Sequence, residues 1–160
     1  MPAPTGFTQH RSGYWTRLSD QASPFLFDGT STMLVGDFAG RPAGATALFA
    51  ASGNVANASA VATLAAAAGR TTYLSGLTIT GSGSTLGGVV LATVTGLIGG
   101  ATATYVVAVP TGVIVGVTPL VLRFDPPIPA SAANTAIVVT LPALGGGNSN
   151  ASVNAFGYQI

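Results

Sequence analysis

The chain has no cysteine, no lysine and no glutamate, and His10 is its only histidine. Without cysteine there is no disulfide framework and no cysteine-ligated zinc. Without lysine there is no self-made Lys–Asn crosslink. Charge of either sign is scarce: 6% of the 160 residues are charged, against about 25% in an ordinary soluble domain. Five scattered arginines and a net charge of +1 do not make a surface that holds nucleic acid by phosphate neutralisation. Four aspartates are a thin supply for acid–base catalysis, so no enzyme is expected.

Long apolar runs are missing too. No stretch of about 20 residues is free of Gly, Pro or polar breaks, and the apolar run 60–68 is too short to span a bilayer, so no membrane partner is expected. The opening MPAPTGFTQHRSGYW lacks the basic-then-apolar pattern of a secretory signal. Disorder fits poorly with 48% hydrophobic residues and a mean hydropathy of +0.59. What remains is a folded chain whose weakly charged, small-residue surface is covered by partners, as in a subunit of an assembly.

What is present divides at about residue 45. Arg11, Arg17, Asp20, Asp28, Asp37 and Arg41 all precede residue 42, whereas only Arg70, Arg123 and Asp125 follow. Half of the aromatic residues, Phe7, Tyr14, Trp15, Phe25, Phe27 and Phe38, lie in the first 45 residues with Pro2, Pro4, Pro24 and Pro42. This pattern reads as an extended N-terminal arm, residues 1–45, with short strands at 25–27 and 32–35 split by the turn signal Asp28-Gly29. Large aromatics are costly to leave in water, so the arm is expected to lie along its own domain or a neighbouring subunit. Its contact residues would be Phe7, Tyr14, Trp15, Phe25, Phe27 and Phe38 with Arg11 and Arg17.

Residues 46–160 read as one β domain. Short β-branched runs at 60–67, 71–80, 88–97, 102–109, 119–124, 136–141 and 152–160 are separated by Gly81-Ser82-Gly83-Ser84, Gly99-Gly100, Pro110-Thr111-Gly112, Asp125-Pro126-Pro127 and Gly145-Gly146-Gly147-Asn148. Such spacing is the signature of an all-β sandwich or barrel. Strict alternation over 71–80 would put Tyr73, Ser75, Leu77 and Ile79 on one face and Leu74, Gly76, Thr78 and Thr80 on the other. Ala65–Ala68 has helix propensity but is too short to hold a helix, and reads as a strand end followed by a turn. An outer-membrane barrel would need aromatic girdles, and the aromatics cluster in the arm instead.

Chemistry-bearing motifs are absent or mismatched. In Gly81–Gly87 the third glycine is misplaced for G-x-G-x-x-G and no helix follows, so the segment reads as a flexible hairpin loop. His10 could meet Asp20 or Asp28 only through folding, and no G-x-S-x-G elbow supplies a nucleophile. No calcium loop occurs, and the sequons at Asn57 and Asn150 read as chance. Arg123 and Asp125 alternate on one strand and could pair. No catalytic residue, metal or cofactor is expected.

The series Ala62-Thr63-Leu64-Ala65-Ala66-Ala67-Ala68-Gly69-Arg70-Thr71-Thr72-Tyr73-Leu74-Ser75-Gly76-Leu77-Thr78-Ile79 resembles a pattern met in small virion proteins of tailed bacteriophages. In them a short apolar strand, a Gly-basic turn and a second strand open a jelly-roll-like sandwich. The stretch from Pro127 to Val139 and the ending Ala155-Phe156-Gly157-Tyr158-Gln159-Ile160 fit the same picture, so the likeness covers roughly residues 60–160. It implies an antiparallel jelly-roll-like β-sandwich and a virion structural role: a capsid decoration (cement) protein on the major capsid protein, or else a tail, fibre or spike component anchored by its arm. It implies a homo-oligomer, a trimer first, assembled in the host cytoplasm. A fibre usually has a repetitive shaft, and this chain has none, which favours decoration.

Overall fold

Short runs of small and β-branched residues between glycine and proline breaks yield strands throughout, and no α-helix occurs among the described residues. A computed structural model describes residues 41–145 and 150–160, together with the backbone of four short strands before them: β1 Phe7–Gln9, β2 Trp15–Arg17, β3 Asp20–Phe27 and β4 Thr32–Leu34. The chain forms two units, Met1–Ala45 and Thr46–Ile160. The first holds an antiparallel meander, β1-β2-β3-β4, with Trp15 opposite Phe25 and Phe25 opposite Leu34. The chain doubles back at each connection where the sequence suggested short strands along an extended arm. The proposed turn at Asp28-Gly29 lies outside the described residues.

The second unit is an antiparallel β-sandwich. Its strands are β5 Thr46–Ala51, β6 Val55–Ala56, β7 Ala60–Leu64, β8 Thr72–Ser82, β9 Gly88–Thr95, β10 Ala103–Val109, β11 Leu120–Pro129, β12 Ile137–Leu141 and β13 Asn150–Gln159. One sheet runs β10-β9-β12-β7 and the other β11-β8-β13-β5, with β6 also on β13. Leaving the two-residue β6 aside, the first strand pairs with the last (β5 with β13), the second with the seventh (β7 with β12), the third with the sixth (β8 with β11) and the fourth with the fifth (β9 with β10). This unit is thus a long hairpin folded over on itself.

The core lies between the sheets. Ala60, Ala62, Leu64, Ala92, Val94, Ile137, Val139 and Leu141 face Leu74, Leu77, Ile79, Ala151, Val153 and Ala155 across it. Each fully buried Leu, Ile or Val contributes about 1.5–3 kcal/mol. Many positions are alanine or glycine, and this allows close approach. A Cβ on Gly157 would run into the Tyr73 carbonyl, with Leu64 Cδ1 at 3.2 Å.

Several sequence expectations need correction. The strict alternation over 71–80 fails at a bulge. Leu74 pairs with Gly157 and Gly76 with Phe156, so Ser75 has no partner on β13. The extra residue turns Thr72 and Leu74 inward together with Leu77 and Ile79, and leaves Tyr73 and Thr78 outward. Gly81–Gly87 is not a hairpin loop, because β8 and β9 lie in different sheets. Asp125-Pro126-Pro127 does not end a strand: β11 continues to Pro129, absorbing these residues in a register shift between Arg123 and Ile128. The strand from Ala60 stops at Leu64, since the Ala65 carbonyl accepts from Gln159 Nε2 at 2.6 Å instead of from a ladder partner. β5 and β6, rich in alanine, were not foreseen; β5 is held by six residue pairs along β13.

Candidate interaction surfaces

The outer face of the β11-β8-β13-β5 sheet carries Phe49, Tyr73, Phe156 and Tyr158, whereas Tyr105 and Phe124 pack against the core. Register lines up Phe49 on β5, Phe156 on β13, Gly76 on β8 and Arg123 on β11 in a single row. Gly76 lets the row close. A Cβ there would meet Phe156 Cε2 at 2.5 Å, so its absence makes room for the ring, and Arg123 Cζ lies 4.7 Å from the ring centroid. In the next row Tyr73 and Tyr158 are cross-strand partners with rings stacked at 4.9 Å and 14°. Burial, and then the neighbouring Tyr73, pushes the Tyr158 hydroxyl above its ordinary pKa of 10.0. The row on the far side of Phe156 is tied by Asn154 Nδ2 donating to Thr78 Oγ1 at 3.0 Å. Arg123 therefore packs on Phe156, and it does not pair with Asp125. Phe49, at the end of the row, is 70% exposed.

At one end of this face, a cleft of about 210 Å³ is lined by Asn54, Thr80, Ser82, Asn150 and Ser152, with Asn54 Nδ2 donating to Asn150 Oδ1 at 3.0 Å. It offers only neutral amides and hydroxyls.

The outer face of the β10-β9-β12-β7 sheet is built differently. Its rows are Ala108 beside Val89, Val106 beside Leu91, Thr104–Thr93–Thr140–Val61, and Thr95–Val138–Thr63. It carries no formal charge and no aromatic ring, and among the described residues these side chains make no hydrogen bond with one another. Val89 is 63% and Val106 71% exposed.

The third surface is a pair of loops. The segment after β8 and the segment between β10 and β11 are joined by backbone bonds from Gly83 N to Val115 O (3.1 Å), Gly112 N to Ser84 O (2.8 Å) and Val117 N to Gly81 O (2.8 Å). Ser84, 1% exposed, sits beneath them with its hydroxyl 2.6 Å from the Leu86 carbonyl and 2.8 Å from that of Leu144. This scaffold holds up an apolar tip, with Leu86, Val113 and Ile114 exposed.

The contact residues expected from sequence belong to the first unit. Phe7 lies in β1, Trp15 and Arg17 in β2, and Phe25 and Phe27 in β3, with only their backbone described; Arg11, Tyr14 and Phe38 lie outside the described residues, as do His10 and Asp28. Composition alone gave no sign of the Phe49–Phe156–Arg123 row, which depends on the register of distant strands. Residues 102–109, TATYVVAV, alternate in the sequence, but the alternation does not tell which side of β10 turns outward. No family model, no curated protein and no solved structure matches the chain.

Proposed function

We propose that the chain is a virion structural protein, a capsid decoration protein that binds the assembled phage head and stabilises it. In this reading the sandwich is a jelly roll. The observation that carries it is the strand pairing. First with last, second with seventh, third with sixth and fourth with fifth is the pairing of an eight-stranded hairpin rolled into two sheets, an architecture used by viral capsid domains among others. The nearly uncharged surface supports the same reading: Arg70, Arg123 and Asp125 are the only formal charges in residues 46–160, and an extended uncharged face suits a permanent neighbour.

The mechanism is mass action. A protein that binds the assembled shell and not its separated subunits shifts the equilibrium toward the shell. Small-residue and apolar surface would be buried across joints between major capsid subunits, with the protein acting as a homo-oligomer. The N-terminal unit serves as the anchor, through Phe7, Tyr14, Trp15, Phe25, Phe27 and Phe38 with Arg11 and Arg17.

Mass spectrometry of purified virions with copy-number calibration tests this. Hundreds of copies per particle are expected. A dozen or fewer would replace decoration with a tail, fibre or spike role, and absence from virions would overturn the structural reading altogether.

A further inference from the structure

The four sheet edges are not treated alike. β11 is guarded: Arg123 and Asp125 point outward, Pro126, Pro127 and Pro129 remove N–H donors, and the register breaks. These are the devices that keep an exposed edge from recruiting another strand. β10 has none of them. β5 and β7 lack them too but pair with their neighbours over only six and five residues, and β10 is the longest edge without them. Ala103–Val109 contains no charge, no proline and no glycine, and pairs with β9 over all seven residues without a shift. Among the described residues no strand lies on its other side. Along that free side runs a groove of about 270 Å³ lined by Val106, Val107, Ala108, Thr118, Pro119 and Leu120.

We propose that β10 is a self-association edge: two copies of the chain join β10 to β10, antiparallel, about a two-fold axis at Val106. The four-stranded sheet of each copy then becomes half of one eight-stranded sheet.

A second copy fits this edge for three reasons. Antiparallel pairing of a strand with itself is self-complementary, as a two-fold interface must be. Centring on Val106 preserves the faces. Ala103 meets Val109 of the second copy and Tyr105 meets Val107, all inward residues, while Thr104 meets Ala108 and Val106 meets Val106, all outward. Charge complementarity points the same way. The sheet offers a charged partner no counter-charge, whereas against its own copy it sets no like charges together. The inference rests on the homo-oligomer part of the proposed function and not on a virion location. It gives an even-numbered assembly where the phage resemblance implies a trimer.

The test uses the full chain and light scattering. The wild type is expected at an even multiple of the chain mass. Val106→Lys and Val106→Glu each set like charges opposite one another at the axis, and each is expected to halve that mass with an unchanged circular dichroism spectrum. Mixing the two variants in equal amounts is expected to restore it. As the chain has no cysteine, Val106→Cys is a clean second reporter. Opposed Cα atoms stand about 4.5–5.5 Å apart, within the span of about 4.4–6.8 Å that a disulfide bridges. Mild oxidation is expected to join Val106→Cys copies at least tenfold faster than Val89→Cys copies. A monomeric wild type, a trimer indifferent to both charged variants, or equal rates for the two cysteine variants would overturn the proposal. Such a trimer would leave the decoration reading standing; an intact dimer absent from virions would do the reverse.

Discussion

The two outer faces of the sandwich spend their side chains in opposite ways. On the β11-β8-β13-β5 sheet the outward groups bind each other: Arg123 lies over Phe156, Tyr73 stacks on Tyr158, and Asn154 donates to Thr78. On the β10-β9-β12-β7 sheet Val61, Val89, Leu91, Val106 and the threonines between them have no such partners among the described residues. Both faces cover the same core, so the difference is not a matter of folding. On the first face these contacts serve the fold, with Phe49 left exposed at the end of its row; the apolar area the second face leaves in water suits the proposed association. Substitutions on the first should therefore cost stability and spare association, and substitutions on the second should do the opposite.

The largest expected effect lies at the bulge, where β13 crowds its neighbour β8. Gly157→Ala drives a methyl into the Tyr73 carbonyl beside the Ser75 bulge, and overpacking of this kind costs about 3 kcal/mol. Urea denaturation should show a lower midpoint at unchanged slope. Ser84→Ala comes next. It strips the buried hydroxyl, whose single proton the Leu86 and Leu144 carbonyls share, for a loss of about 1–3 kcal/mol by the same assay.

A matched pair then sharpens the contrast between faces. Arg123→Ala removes the cation from the Phe156 ring and should cost about 0.5–1 kcal/mol with the oligomer mass unchanged. Val106→Thr, on the other face, should leave stability within about 0.5 kcal/mol while weakening association in dilution series. Equal effects of the two on both readouts would erase the distinction.

The smallest effect appears only in alkali. Tyr158 has its pKa raised in the folded state by burial. Below its ordinary value of 10.0 the residue is protonated whether folded or not, and its contribution is constant. Above that value the unfolded tyrosine releases its proton while the folded one keeps it, so stability falls as pH rises toward the folded pKa. Tyr158→Phe should flatten this part of the pH profile in denaturation curves taken above pH 10.

The sequence made much of the second unit legible, because Thr71 onward alternates β-branched residues with turn signals. It failed where a partner decides the outcome. β5 is half alanine, and only the β13 ladder makes it a strand. Ser75 can be recognised as a bulge only once Gly76 and Leu74 are seen against Phe156 and Gly157. The prolines after Asp125 suggest a stop, yet on an edge strand their missing N–H groups cost no ladder bond. The surfaces were less legible still. Phe49, Phe156 and Arg123 are scattered through the chain, and no local pattern joins them.

The central claim is that this protein associates through apolar, uncharged surface, and the salt dependence of that association tests it most directly. With so few formal charges there is little Coulomb energy to screen, and exposed pairs contribute about 0–1 kcal/mol each. Light scattering of the full chain at fixed concentration, from low to molar sodium chloride, should give a constant oligomer mass. Sodium sulfate should hold the oligomer together to greater dilution, since salting-out favours apolar burial. A steep fall in mass between low and moderate sodium chloride would contradict the account and would place the contact on the arginines instead.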